Sequence, residues 1–218
     1  SVNYPKLFQL YVRGDQNWVD DQIKSAIYNN YAGICLTVDL DAYGRRERDL
    51  AKRYRTTSRQ SASGFEYQMR FSWKDIDRIK SYCDLPIIIK GIATKEDALL
   101  AIKHGVEIIY VSNHGGRQLD GSRSPFDQLE EVVNAVGDKI DVICEGGIRR
   151  GTHILKALSL GAKACSGGRM YLYALAAGGQ KGVEKALGNL KKEIERDMIL
   201  MGVSNISELS KKNLRFRV

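Results

Sequence analysis

Short apolar runs alternate with amphipathic stretches along most of the chain. Each run is apolar on both faces, which is typical of strands in a parallel sheet that helices cover. The predicted strands cover residues 7–12, 34–39, 86–91, 107–111, 141–145 and 163–166. Their alternation with helical segments predicts an α/β fold in which crossover helices connect parallel strands.

The helical segments have recognisable ends. Thr94 is a predicted N-cap for a helix that closes at Gly105, and Thr152 opens a helix that closes at Gly161. A last amphipathic stretch has apolar residues at three- and four-residue spacing and is predicted to be a core-facing helix. Its apolar stripe consists of Leu187, Leu190, Ile194, Met198 and Met201.

This pattern is typical of the TIM (β/α)8 barrel, in which eight parallel strands close into a ring. The six predicted strands do not close such a ring, and the chain has 218 residues where barrels of this kind span about 250. We therefore predict a single α/β barrel domain over residues 1–218, with the first two strand–helix units absent from this sequence.

The one long irregular stretch, residues 42–71, is rich in Arg, Ser and Gly and is predicted to be a mobile loop. The formal net charge is +8, and residues 41–70 contain eight Arg or Lys against four Asp or Glu. No nucleic-acid motif accompanies this charge, so no nucleic-acid partner is expected. The loop is either an ordinary basic surface or a contact for an anionic partner or a membrane surface.

Composition places the chain among ordinary globular proteins, with 43% hydrophobic and 28% charged residues. No apolar run reaches the roughly 20 residues of a membrane helix, and no signal peptide is recognisable at the start. The four cysteines, Cys35, Cys83, Cys144 and Cys165, are widely spaced and are predicted to be free thiols rather than disulfides or metal ligands. A cytoplasmic location is expected, with peripheral membrane association as the variant that the basic loop suggests.

Polar residues follow the carboxyl ends of the predicted strands. In a parallel barrel these ends all point to one face, so their side chains are expected to converge on one pocket. The glycine-rich segments 145–152 and 166–169 each lie between a strand and a helix and each contain arginine. Glycines let backbone N–H groups approach a phosphate, the helix N-terminus adds positive partial charge, and arginine adds paired donors. Two such segments favour a phosphorylated ligand over a simple tight turn.

The segment of residues 112–120, Ser-Asn-His-Gly-Gly-Arg-Gln-Leu-Asp, places a proton acceptor near a carboxylate-binding group. His114 can take a proton near neutral pH, and Arg117 can hold a carboxylate by two parallel hydrogen bonds. A loop histidine is more often structural than catalytic, so both interpretations stay open on these residues alone. His104 and His153 fall in predicted helices and receive no role.

At this point the sequence resembles the FMN-dependent 2-hydroxy-acid dehydrogenase/oxidase family, which includes glycolate oxidase, lactate oxidase, mandelate dehydrogenase and flavocytochrome-type lactate dehydrogenase. The 112–120 segment is the signature of that family. Further motifs occur in family order at residues 8–11, 36–39, 44–47, 89–91, 146–152 and 168–169. The resemblance runs from about residue 7 to residue 209.

The resemblance implies roles for particular side chains. His114 would be the active-site base, and Asp39 would stabilise its protonated form. Arg117 and Tyr11 would hold the carboxylate and hydroxyl of a small L-2-hydroxy acid. Lys90 would lie beside the N1/O2 edge of FMN. Arg46 would lie near the substrate on its loop.

The resemblance also implies the residues that bind the cofactor. Gln9, Thr37 and Ser112 would contact the isoalloxazine ring, and Lys90 would contact its edge. The phosphate and ribityl chain would be held by Glu145, Gly146, Gly147, Arg149, Gly168 and Arg169. The family usually has Asp where this chain has Glu145, a position implied to contact the ribityl chain.

The activity implied is oxidation of an L-2-hydroxy acid to the 2-oxo acid, with oxygen, a quinone or a cytochrome as electron acceptor. A homo-oligomer, as a homotetramer, is also expected. Two alternatives stay open. One is a phosphate-binding barrel isomerase without net redox chemistry, and the other is an incomplete fragment that needs a second chain.

Overall fold

A computed structural model describes residues 4–54 and 65–216, and its six strands form one parallel sheet in sequential order, β1-β2-β3-β4-β5-β6. The strands are β1 (Leu7–Tyr11), β2 (Gly33–Thr37), β3 (Ile87–Ile92), β4 (Ile108–Ser112), β5 (Asp141–Glu145) and β6 (Ala164–Ser166). All six strand predictions are confirmed, with ends that differ by at most two residues. A parallel sheet in sequential order is the arrangement that crossover helices produce.

Helices connect the strands. In chain order they are α1 (Gln16–Tyr28), α2 (Glu47–Ala51), α3 (Phe65–Arg70), α4 (Trp73–Lys80), α5 (Lys95–Lys103), α6 (Pro125–Val136), α7 (Gly151–Ser159) and α8 (Arg169–Met201), followed by 3-10 turns at Ile206–Glu208 and Lys211–Asn213. The predicted cap at Thr94 is confirmed, because its side chain accepts a hydrogen bond from the Asp97 N–H at 3.2 Å. Helix α7 begins one residue before the predicted start at Thr152.

The prediction of an irregular stretch over residues 42–71 is wrong in part, since α2 and α3 lie within it. Contacts that are distant in sequence hold α3 in place. The Gln68 amide donates a hydrogen bond to the carbonyl of Leu40, and the Tyr67 hydroxyl donates one to Asp75 at 2.7 Å. Residues 55–64 lie outside the described part of the chain, so the mobile loop stays a prediction.

The two faces of the sheet differ in character because side chains alternate along each strand. One face packs under the helices and forms the apolar core. It carries Leu10, Ile34, Leu36, Ile87, Ile89, Ile109, Val111, Val142 and Cys144. The other face becomes polar toward the carboxyl ends of the strands, where Thr37, Lys90, Ser112 and Glu145 lie. The prediction of strands apolar on both faces therefore holds only away from the carboxyl ends of the strands.

Helix α8 is the element whose packing differs most from the sequence prediction. Its backbone is interrupted at Gly178 and Gly179, and Leu187 and Met201 of the predicted apolar stripe are exposed. Leu190, Ile194 and Met198 of the stripe are partly buried, and Asp197 beside them is buried. Helices α7 and α8 approach each other closely here, and a Cβ on Gly151 would collide with Glu193 and the backbone of residue 194.

All four cysteines are free thiols, and Cys35, Cys83 and Cys144 are buried. Burial raises the pKa of the Cys35 and Cys144 thiols to about 12, so both are protonated near neutral pH. In the described ranges, no helix has the length and apolar character needed to cross a membrane.

Candidate active site

A cavity of about 620 Å³ opens at the carboxyl ends of the strands. Most of the residues singled out from the sequence line it. They are Gln9, Tyr11, Lys90, His114, Arg117, Glu145, Gly146, Gly147, Arg149, Gly168 and Arg169. The other four do not line the cavity. Three of them contact lining residues through hydrogen bonds, and the fourth contacts Gln118, next to Arg117 in the chain. They are Thr37, Asp39, Arg46 and Ser112.

His114 and Asp39 form a pair at the mouth of the cavity. The distance between His114 Nδ1 and Asp39 Oδ1 is 3.0 Å, and both side chains are more than four-fifths buried. A carboxylate that accepts from Nδ1–H fixes the ring and leaves Nε2 as the nitrogen that can take up a proton. The second oxygen of Asp39, Oδ2, is buried and has no hydrogen-bond partner among the described residues. The pair thus fixes the orientation of the imidazole and places a buried carboxylate beside it.

The backbone that presents His114 turns through left-handed conformations. His114 has a φ of 55°, and the two glycines after it have φ values of 69° and 72°. Two side chains stabilise the turn, since Ser112 Oγ accepts from the His114 N–H at 3.1 Å and Asn113 Oδ1 accepts from the Gly116 N–H at 3.0 Å. A left-handed histidine is uncommon, and such strain tends to occur at functional sites.

Gly91 lets Asp39 come close to β3. Its φ is +114°, and the strand register shifts between Lys90 and Ile92. A Cβ at position 91 would lie 2.6 Å from the Asp39 Cβ. Only glycine fits this bulge without displacing the carboxylate.

Lys90 and Glu145 form a buried ion pair inside the sheet. Lys90 Nζ lies 3.1 Å from Glu145 Oε1, with side-chain exposures of 7% and 17%. The Ser112 hydroxyl donates to the same carboxylate oxygen at 3.1 Å. A lysine this deep is stable because its charge is paired.

Three side chains on β1 and β2 are hydrogen-bonded beside the ion pair. The Gln9 amide donates to Tyr11 Oη at 3.1 Å and to Thr37 Oγ1 at 3.2 Å. Burial raises the pKa of Tyr11 above its usual value, against the opposing effect of the Lys90 ammonium. Tyr11 therefore keeps its phenolic proton and can donate a hydrogen bond into the cavity.

The glycine-rich end of the cavity is open and basic. A Cβ on Gly147 or Gly168 would meet nothing within 4 Å, and Arg149 is exposed with no side-chain partner in the described ranges. Arg169 Nη2 donates to the Gly115 carbonyl at 2.7 Å. Helix α8 starts at this end without a side-chain cap, so its first N–H groups are available to an anion.

Helix α7 does not fit the sequence prediction that its N-terminus would face a phosphate. The Gly151 N–H donates to Glu193 Oε2 at 2.8 Å, and Arg150 Nη2 lies 2.9 Å from Glu193 Oε1. A carboxylate from α8 thus caps α7. The helix end that remains open is that of α8.

The residues around α2 pack against the His114 turn. The Gln118 amide donates to the carbonyls of Asp39 and Ala42 at 2.8 Å each, and Arg46 Nη2 donates to Gln118 Oε1 at 3.4 Å. Arg117 Nη2 lies 3.7 Å from Asp49 Oδ2. An exposed ion pair of this length is weak, so Arg117 can readily exchange Asp49 for another carboxylate.

Sequence reasoning missed four contributors to this site: Gln118, Asp49, Glu193 and His153. His153 Nδ1 accepts from the Arg149 N–H at 3.2 Å and so supports the turn that carries this arginine. Gln118 lies within the 112–120 segment, which was its only sequence signal. His104 lies outside the site, stacked on Trp73 and paired with Asp77 at 2.7 Å.

Comparison with known proteins supplies relatives along the whole chain. The sequence profile of the FMN-dependent dehydrogenase family matches residues 1–216. An L-lactate dehydrogenase (cytochrome) of Wickerhamomyces anomalus is 41% identical over 230 residues, covering 96% of this chain and 40% of that protein. A peroxisomal (S)-2-hydroxyacid oxidase of Arabidopsis thaliana is 41% identical over 234 residues, covering 99% of this chain and 64% of that protein.

Solved structures agree with these relatives. The flavin-binding domain of flavocytochrome b2 from baker's yeast superposes with a TM-score of 0.90 at 40% identity, covering 99% of this chain and 55% of that one. A mandelate oxidase bound to 3,3-difluoro-2-hydroxy-3-phenylpropionic acid superposes with a TM-score of 0.86 at 35% identity, covering 96% of this chain and 62% of that one. This chain therefore spans between two fifths and two thirds of the proteins that it matches.

Gly91→Ala is expected to lower the free energy of unfolding by about 2–4 kcal/mol, because the new methyl group is strained at its φ and collides with Asp39. Urea denaturation measures the change. Gly188→Ala is the matched control, since Gly188 lies in a helix with open space around it. The free energy of unfolding of that variant is expected to rise by up to about 1 kcal/mol. Equal stability of the two variants would contradict the close approach of Asp39.

Proposed function

Because this chain belongs to the FMN-dependent dehydrogenase family, we propose that it binds FMN in the cavity and oxidises a small L-2-hydroxy acid to the 2-oxo acid. The observation that carries the proposal is the composition of one cavity wall. It combines a histidine paired with a buried carboxylate, an exchangeable arginine and a buried lysine. These are a proton acceptor, a carboxylate-binding group and a fixed positive charge.

The residues present fit FMN. The glycine-rich end offers open space beside Gly147 and Gly168, an exposed Arg149 and the uncapped start of α8, which together suit a phosphate. Gln9, whose amide donates to the Thr37 hydroxyl, offers a polar contact for a flavin ring in the same cavity. When bound, FMN supplies a two-electron acceptor that is reoxidised by oxygen, a quinone or a cytochrome.

In this proposal His114 is the base. Its Nε2 accepts the proton that the substrate loses, either from the hydroxyl or from C2. Asp39 stabilises the resulting imidazolium across the 3.0 Å contact at Nδ1. With FMN bound, Lys90 would supply a fixed positive charge that stabilises negative charge on the ring.

Substrate orientation falls to Arg117 and Tyr11. The Arg117 guanidinium exchanges Asp49 for the substrate carboxylate, which it can hold by two parallel hydrogen bonds. The protonated Tyr11 donates a further hydrogen bond to the substrate. Arg46 stays close through Gln118 and adds positive charge on the same side.

We also propose that two further strand–helix units close the sheet into an eight-stranded barrel. Strands β1 and β6 are at the two edges of the six-stranded sheet. The start of α8 leaves large apolar side chains exposed, among them Leu172, Tyr173 and Leu175. The additional units belong either to the same polypeptide or to a second chain. Mass spectrometry of the purified protein distinguishes these sources, since it reports extra mass or a second component.

The purified full-length protein is expected to be yellow, with flavin absorption bands that bleach when L-lactate, glycolate or L-mandelate is added without oxygen. Bleaching follows from transfer of two electrons to FMN. The order of rates among the three acids gives the substrate preference. A protein that binds FMN and keeps its colour with all three would fit the alternative of an isomerase without net redox chemistry.

His114→Ala is expected to lower kcat by about 100- to 10,000-fold, the usual contribution of a general base, with FMN absorption retained. Stopped-flow measurement of flavin reduction gives the rate. His104→Ala is the matched control, because His104 lies outside the cavity beside Trp73, and its kcat is expected to match that of the parent. Reduction at nearly the parent rate in His114→Ala would remove this histidine as the base.

Arg117→Lys is expected to lower kcat/KM on the order of 10- to 100-fold, because lysine cannot reproduce a two-point grip and a charged hydrogen bond is worth about 1.5–3 kcal/mol. Steady-state kinetics measures the change. Arg123→Lys serves as the control, since Arg123 makes an exposed pair with Glu131. The clamp assignment fails if both variants keep the kcat/KM of the parent.

A further inference from the structure

Glu145 holds an unusual position in the network around Lys90. Among the described residues, the Lys90–Glu145 pair is the most buried contact between a lysine and a carboxylate. The two residues lie on different strands, β3 and β5, with β4 between them. Glu145 thus spans the width of a strand to reach the lysine.

The same carboxylate oxygen connects the lysine to the backbone of the proposed base. Glu145 Oε1 lies 3.1 Å from Lys90 Nζ and accepts a hydrogen bond from Ser112 Oγ at 3.1 Å. Ser112 Oγ in turn accepts from the His114 N–H. One side chain therefore fixes both the lysine ammonium and the start of the left-handed turn.

We propose that Glu145 is a positioning residue that tethers Lys90 and attenuates its charge, and so sets the reduction potential of the flavin. The proposal rests on the proposed function, because it needs FMN beside Lys90. A carboxylate 3.1 Å from the ammonium cancels much of the electric field that the ammonium exerts on other groups. The effect of each charge is strong here, because exclusion of water keeps the local dielectric constant low. Removal of the negative charge leaves the lysine to stabilise the anionic reduced flavin more strongly.

The test is the midpoint potential of the FMN-loaded protein, measured by equilibration with a reference dye. Glu145→Gln keeps the shape of the side chain and removes its charge. It is expected to shift the equilibrium toward reduced flavin at least tenfold, which corresponds to about 30 mV for a two-electron couple. Glu145→Asp keeps the charge but is one methylene shorter, and a smaller upward shift is expected. An unchanged or lower potential in both variants would overturn the proposal.

Glu107→Gln is the matched control. Glu107 is paired with Lys80 at 2.6 Å but lies directly before β4, at the amino ends of the strands and away from the cavity. Its replacement removes the same charge and is expected to leave the potential unchanged. A shift equal to that of Glu145→Gln would mean that net charge alone is responsible, and the proposal would fall.

The Lys90→Met background separates an effect through the lysine from a direct effect on the flavin. Without the ammonium, Glu145→Gln is expected to lose most of its influence on the potential. An equal shift in both backgrounds would show that Glu145 acts directly, which contradicts the proposal.

A parent protein that bound no FMN would end the proposed function and this inference together. A parent that is reduced by hydroxy acids while its Glu145 variants keep the parent potential would end the inference alone.

Discussion

The parallel register of the six strands decides which side chains meet at the mouth of the cavity. Thr37 is level with Lys90 across β2 and β3, and Ser112 is level with Glu145 across β4 and β5. Because side chains alternate along β3 from Ile87 to Lys90, a slip of one residue would turn Lys90 into the apolar layer under the helices. An unpaired ammonium there is strongly unfavourable, so the polar residues at the carboxyl ends of the strands help to specify the register of the sheet.

Charge is distributed unevenly around the cavity. At the end of β3 and in the turn after β4, Lys90, His114 and Arg117 each have a carboxylate partner from the chain itself. At the glycine-rich end, Arg149 has no such partner in the described ranges. The positive excess is thus concentrated where the phosphate of FMN is proposed to bind. The paired charges occur where the chemistry is proposed to need one proton acceptor and one carboxylate site.

Much of the fold could be predicted from the sequence, because its determinants are local. Apolar runs predicted the six strands of the described residues, and Thr94 predicted the start of a helix. The residues around the cavity could be predicted because the sheet is parallel, so that polar groups at the carboxyl ends of different strands face the same cavity. The resemblance to a known family then assigned roles to them that periodicity alone does not supply.

The features that escaped prediction depend on contacts between residues distant in sequence. The approach of Asp39 to Gly91 requires a bulge that the apolar pattern of β3 does not indicate. The capping of α7 by Glu193 joins residues 42 positions apart. Helix α3 is anchored through Gln68 to the carbonyl of Leu40, in the loop after β2, which local propensity does not reveal.

The two edge strands, β1 and β6, matter for both the fold and the proposed chemistry. Leu7 is 47% exposed on β1, and β6 is short and partly exposed. Edge strands with exposed apolar residues tend to pair with further strands. Two units that joined these edges would also complete the wall beside Gln9 and Ser166, both of which line the cavity. Closure of the barrel and exclusion of water from the flavin are therefore one structural event in this proposal, because the same strands accomplish both.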